Sequence, residues 1–183
     1  MQGIVFNLLE EVITRSHGVE AWYQMNGVAG ITASYQPHAG YDDGELIRLV
    51  EAAASVLSMP KREVLRWFGR SAIPLLAERY RGFFLGHADT RAFLLTLNDI
   101  IHPEVRRLYP SAAPPRFDFK SVPDGSLRLG YRSERKLCAL AEGFILGAAD
   151  HYRQTVSIDH SICMHRGDNR CLLILHFSPM QEP

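Results

Sequence analysis

Apolar residues recur at helical spacing through the first half of the chain. Ile4, Leu8, Leu9, Val12 and Ile13 repeat every three or four positions, which predicts an amphipathic helix over 1–15 closed by Gly18. Trp22 and Tyr23 suggest a short second helix stopping near Gly27, and 27–44, rich in Gly, Pro, Asp and Ser, reads as loop. Asp42, Asp43 and Gly44 lead into a helix over 45–57 with the stripe Leu46, Leu49, Val50, Ala53 and Leu57. Pro60 suits the first turn of the next helix, which carries Val64, Leu65 and Phe68 and continues over 71–80 despite Pro74. One long helix is predicted from about Thr90, a capping residue type, through Phe93, Leu94, Leu97, Ile101, Val105 and Leu108. Tyr109, Pro110 and a Ser-Ala-Ala-Pro-Pro stretch end it.

The period then changes to two. Phe117 and Phe119 alternate with Asp118 and Lys120, Pro123-Asp124-Gly125 is a turn signal, and Leu127, Leu129 and Tyr131 alternate again, so a β-hairpin is expected. A helix from about Arg135 carries Leu137, Leu140, Ala141, Phe144, Ile145 and Ala148. A second hairpin, 155–163 and 171–177 around Gly167-Asp168-Asn169, closes the chain. Helices followed by β-β-α-β-β predict an α+β fold: a helical N-terminal lobe of about 1–60 packed on a C-terminal lobe of about 61–183 within one domain.

Composition narrows the function. The 183 residues are 46% hydrophobic with 10% aromatic, enough for a core and too apolar for a disordered chain. Twenty Lys+Arg against 20 Asp+Glu leave zero formal charge, which argues against a nucleic-acid partner. No apolar run approaches the roughly 18 residues that span a bilayer, so no membrane partner is expected. The opening Met1-Gln2-Gly3-Ile4 has no basic n-region and acids follow at Glu10 and Glu11, so a cytoplasmic location is expected. Three cysteines in such a compartment point to thiols or metal ligands rather than a disulfide framework.

Three groups of residues could carry chemistry. His102 shares an apolar face with Leu95 and Val105, and reads either as a core histidine or as a metal ligand. Pro103 biases the backbone of His102 away from the helical well, which aims the ring or merely kinks the helix. Tyr131, Ser133 and Arg135 sit at alternate positions, so period two places all three on one strand face, with donors and no negative charge. A guanidinium fork there suits a carboxylate or phosphate, or is an ordinary surface arginine. Cys138, His160, Cys163 and Cys171 offer three thiolates and an imidazole, suited to tetrahedral zinc, although buried cysteines also serve as small hydrophobes. Trp67 and Phe68 read as core, Arg106 and Arg107 as a solvated face, and His165 as a weaker ligand than His160. No GxSxG, P-loop or HExxH motif is present.

These residues resemble the H-NOX family, the haem nitric oxide/oxygen-binding domains. Met1-Gln2-Gly3-Ile4 is similar to that family's start, and Leu97-Asn98-Asp99-Ile100-Ile101-His102-Pro103 to its proximal-histidine helix. Pro114-Pro115-Arg116 is similar to the proline segment against the porphyrin, and Tyr131-Arg132-Ser133-Glu134-Arg135 to the Tyr-x-Ser-x-Arg signature. The resemblance implies a haem b ligated by His102, with Tyr131, Ser133 and Arg135 on its propionates and Pro115 pressing on the ring. It also implies a structural zinc ion on Cys138, His160, Cys163 and Cys171, as in some bacterial members.

On the distal side, the position where oxygen-holding members place a tyrosine corresponds to Leu140, and Val5, Leu9, Ala72, Leu76 and Phe144 nearby are also apolar. The resemblance therefore implies a sensor of NO, binding CO as well, without stable oxygen binding. NO would break the bond from iron to His102, and the resulting shift would be read by a separate partner, such as a histidine kinase or a cyclic-di-GMP enzyme. The rivals are a redox sensor built on the zinc thiolates, a peroxidase-like haem enzyme, and a haem-free binding module. A peroxidase needs a polar distal acid–base group, and the distal candidates supply none.

Overall fold

The computed structural model describes residues 1–32, 34–110 and 112–180. The first lobe contains α1 (Gly3–His17), α2 (Val19–Ala29) and α3 (Asp43–Val56), followed by the long α4 (Lys61–Arg79) and the short α5 (Arg81–Phe84). Next come α6 (Thr90–Leu95), a π-helical turn (Leu97–Ile101) and α7 (His102–Leu108). Strands β1 (Arg116–Ser121) and β2 (Leu127–Arg132), helix α8 (Cys138–His151), and strands β3 (Gln154–Ile162) and β4 (Cys171–Pro179) complete the chain. The strands form one antiparallel sheet in the order β1-β2-β4-β3. This is the α+β order read from the change of period. Among the described residues no helix is long and apolar enough to cross a membrane.

Several element ends differ from the pattern, each for a local reason. The second helix runs past Gly27 to Ala29 and stops at Gly30, whose φ of 64° is cheap only for glycine. Asp42, rather than a later residue, starts α3, its side chain accepting from Gly44 N at 2.7 Å. Thr90 is buried and is not the cap of α6; Asp89 is, accepting from Ala92 N at 2.7 Å. Helix α8 begins at Cys138 instead of Arg135, because Lys136 takes a φ of 50° and closes a turn from its N–H to the Ser133 carbonyl at 3.1 Å.

The predicted long helix from Thr90 is broken. Pro103 has no N–H and its ring crowds the carbonyl four residues back, so an α-helix cannot pass through it unperturbed. The chain widens instead: Ile101 N reaches the Thr96 carbonyl at 3.1 Å, and His102 N reaches that of Leu97, both five residues back. Such π-turns cluster at functional sites.

Two cores result. The first joins α1–α4 around Phe6, Leu9, Ile13, Leu46, Leu49 and Phe68, all with no exposure. The second lies between α8 and the sheet, around Leu127, Leu129, Leu173 and Leu175. Leu76 of α4 and Phe144 of α8 pack against both. Helix α8 is buried on nearly every side, including its small residues, so it serves as the central helix. It crosses α4 backbone to backbone. A Cβ at Gly143 would lie 2.2 Å from the Arg66 carbonyl oxygen, and one at Gly69 would lie 2.5 Å from that of Leu140. Backbone cannot step aside as a side chain can.

Gly143→Ala should therefore destabilise the fold by roughly 1–3 kcal/mol, lowering Tm by about 2–4 °C per kcal/mol in thermal unfolding. Gly82→Ala, where an added Cβ meets nothing within 4 Å, should leave Tm unchanged or slightly raised.

Candidate functional site

His102 opens α7 directly after the π-turn and is half-buried. Its ring lies 5.7 Å from that of Phe117, and the Pro115 carbonyl offers it a hydrogen bond. Burial, helped by the Arg106 cation, pushes its pKa down to about 4. At neutral pH the imidazole is uncharged, with a lone pair free for a metal. Asn98, within the π-turn, clamps this arrangement: its Nδ2 donates to the Phe117 carbonyl at 2.6 Å, and Phe117 N donates to its Oδ1 at 3.1 Å. One amide thereby fixes β1, with Pro115 and Phe117, against the histidine. A cavity of about 110 Å³ is lined by Asn98, His102, Arg106, Pro115 and Arg116. At the far end of α7, Tyr109 stacks on His38 of the first lobe at 4.9 Å and hydrogen-bonds the Tyr80 hydroxyl.

Tyr131, Ser133 and Arg135 do not share a strand face, because β2 ends at Arg132 and the last two lie in the following turn. They still converge. The buried Tyr131 hydroxyl accepts from Leu137 N at 3.0 Å, and Ser133 Oγ accepts from Arg135 N at 3.3 Å. Nor is the group free of negative charge. Arg135 Nε donates to Asp43 Oδ2 at 2.6 Å, and Nη1 to the Ala113 carbonyl at 2.9 Å. Asp43 Oδ1 accepts from the Met1 ammonium at 2.6 Å. Burial pushes the Asp43 carboxyl up, but the ammonium and guanidinium outweigh it and hold the group below its ordinary pKa. Beside them lies a cavity of about 270 Å³ lined by Met1, Asp43, Leu46, Ile47, Glu134, Arg135 and Leu137, so two cations there face two carboxylates. The Arg135 guanidinium is the group in that lining suited to an incoming carboxylate. Asp43 and the Met1 amine carry this polarity, and the sequence reading treated them only as a helix entry and a chain start.

The six distal candidates fall in the first core. Leu9, Ala72 and Leu140 are buried, while Val5, Leu76 and Phe144 remain partly exposed. None has a polar side-chain atom. Together these features suit a flat apolar group with acidic edges: a neutral imidazole, an apolar seam shared by two cores, and two cationic donors at Met1 and Arg135.

The second group assembles at the tip of the β3–β4 hairpin. Cys138, His160, Cys163 and Cys171 bring one ligand atom each to within 4.8 Å of one another. The Cys163 sulfur lies 3.9 Å from that of Cys138 and 3.9 Å from that of Cys171, well beyond the roughly 2.05 Å of a disulfide. Strict alternation would put His160 and Cys163 on opposite faces of β3. A bulge between Asp159 and Ile162 inserts the extra residue that turns both toward α8. Burial pushes the thiols of Cys138 and Cys171 up, so a cation would be needed to hold them as thiolates. His165 stays outside, exposed and bonded to the Lys136 carbonyl at 2.7 Å. Glu142, which sequence reasoning missed, lies one helical turn after Cys138. Its carboxylate is 2.5 Å from His160 Nδ1 and 2.8 Å from Arg62 Nη2. Its spacing from Cys138 was the available signal.

Comparison with known proteins shows the family and the fold. The family model described as haem-NO-binding matches residues 2–160. An H-NOX protein from S. oneidensis, solved in the Fe(II)NO ligation state, is 32% identical; the match covers 97% of this chain and 99% of that one, with a TM-score of 0.91. The SO2144 H-NOX domain from Shewanella oneidensis in the Fe(II)CO state is 32% identical over 97% and 99% of the chains, with a TM-score of 0.88. The Fe(II) unliganded H-NOX protein from K. algicida, 19% identical over 97% of each chain, shares the fold at a TM-score of 0.85.

The His102 shift has a sign that can be measured. The unfolded imidazole, near 6.5, binds a proton more readily than the folded one, near 4. In the protein without bound cofactor, unfolding free energy should fall as pH drops through that window, by on the order of 2–3 kcal/mol. Denaturant titrations of His102→Phe should lack that part of the slope.

Proposed function

The chain belongs to the haem-NO-binding (H-NOX) family of haem-based gas sensors, and from that premise we propose that it is a nitric oxide sensor with haem b on His102. The observation that carries the reading is the imidazole itself, neutral at physiological pH and held beside Pro115 and Phe117. Tyr131, Ser133 and Arg135 would take the propionates, supported by the Arg135 guanidinium and by the Met1 ammonium that shares Asp43 with it. Pro115 would press on the ring, and Val5, Leu9, Ala72, Leu76, Leu140 and Phe144 would line the pocket.

Ferrous haem bound there would supply the site for a diatomic gas, and NO binding would loosen its hold on His102. The residues then set the consequence. His102 would then keep the Pro115 carbonyl as its partner while Asn98 holds β1 through Phe117, and α7 would be free to move. Tyr109 at its end carries that movement to His38 and Tyr80. Helices of the first lobe, about 1–60, would shift against the second, about 61–183, and alter a surface read by a separate histidine kinase or cyclic-di-GMP enzyme in the cytoplasm. The Shewanella relatives in NO and CO ligation states support both gases as ligands.

The apolar distal set sets the choice of gas. Bound oxygen gathers negative charge and needs a hydrogen-bond donor, whereas NO needs one far less, so NO and CO are favoured. The thiol cluster is read as a structural zinc site on Cys138, His160, Cys163 and Cys171, supported by its three sulfurs and one free ring nitrogen.

His102→Gly should take up haem poorly, and added imidazole should restore loading; normal loading without imidazole would refute the ligand assignment. The reduced, haem-loaded protein exposed to air should give no persistent oxygen-bound spectrum, and Leu140→Tyr should gain one. A stable oxygen-bound spectrum in the unsubstituted protein would refute the distal argument.

A further inference from the structure

We propose that Glu142 is the positioning residue of the thiol cluster: it orients His160 toward the three sulfurs and ties the cluster to α4 through Arg62 and Arg66. This rests on the zinc reading above. Glu142 is 2% exposed and is the buried charged residue among those described. An ionised carboxylate tolerates burial only when paired. Its partners come from two other elements. Oε1 lies 2.5 Å from His160 Nδ1 on β3 and 2.8 Å from Arg62 Nη2, and Oε2 lies 3.8 Å from Arg66 Nε.

The hydrogen bond at Nδ1 determines the tautomer. A carboxylate accepts, so Nδ1 carries the proton and Nε2 keeps the lone pair. Nε2 is buried and has no hydrogen-bond partner among the described residues. A buried imidazole nitrogen left in that state is costly unless something else fills its lone pair. A cation held by the three sulfurs would do so, and a carboxylate on the far ring nitrogen raises the basicity of the ligating one. If Glu142 only fastened α8 to α4, the tautomer of His160 and the affinity for metal would not depend on it.

The test uses the full haem-loaded chain with Co2+ as the probe, read by its thiolate charge-transfer bands and by competition with Zn2+. Glu142→Gln, which keeps the shape but loses the charge, should weaken Co2+ binding by about 10–100-fold while the thiolate bands persist. In a His160→Ala background the same substitution should change affinity by less than about two-fold, because the residue acts through the imidazole. Nitrogen NMR of the unsubstituted, metal-free protein should show His160 as the Nδ1–H tautomer, a readout that survives any folding defect of the variant. Equal Co2+ affinity in wild type and Glu142→Gln, an undiminished effect without His160, or an Nε2–H tautomer would overturn the inference. No thiolate-bound Co2+ in the unsubstituted protein would overturn the metal reading itself, and this inference with it.

Discussion

Pro103 cannot donate the hydrogen bond that a continuous helix through residues 90–108 requires, and the arrangement around His102 follows from how the backbone absorbs that loss. The chain widens into the Leu97–Ile101 π-turn, so His102 becomes the first residue of a separate helix. Asn98, inside the widened turn, is left to clamp the backbone of Phe117 on both its groups. Pro115 and Phe117 are thereby held against the imidazole, which loses enough water to stay uncharged. A local backbone defect thus becomes a neutral imidazole in a defined orientation. The same defect makes α7 a short, separately anchored lever whose far end touches the first lobe at His38.

Two polar arrangements, one partly exposed and one buried, are each organised by one carboxylate. Asp43 gathers the chain's own ammonium and Arg135, so the N-terminus is bound to the turn that follows β2. Glu142 gathers His160 and Arg62, so the hairpin tip is bound to α4. In both places a carboxylate from one element pairs with cations or imidazoles from others, which fixes relative positions more sharply than apolar packing does. The glycine crossing brings α4 and α8 backbone to backbone, so Ala72, Leu76, Leu140 and Phe144 ride on one closely packed helix pair.

Much of this was legible in the sequence because two different periods write the helices and the sheet. The stripe Leu46, Leu49, Val50 and Ala53 is the buried face of α3, and Leu127, Leu129 and Tyr131 are the buried face of β2. What escaped depends on contacts between residues far apart in the chain, or on backbone that leaves regular geometry. Asp43 reads as a helix-entry residue until Arg135, 92 positions away, is seen on it. Ser133 and Arg135 follow the strand alternation on paper, but β2 ends at Arg132 and both lie in the turn that follows. The spacing of His160 and Cys163 looks wrong for one face of a strand, and a bulge corrects it. The apolar distal set needed the family resemblance to be assembled at all, since nothing in local periodicity links Val5 to Leu140.

The central claim is that His102 is the breakable tether between a gas-binding haem and the rest of the chain. Its most direct test is the coordination state of the ferrous haem protein after addition of NO, read by electron paramagnetic resonance with isotopically labelled histidine. The account predicts that the nitrogen coupling from His102 disappears and a five-coordinate signal takes its place. Persistent coupling from His102 in the NO-bound protein, or a haem that never shows it before NO is added, would contradict the account.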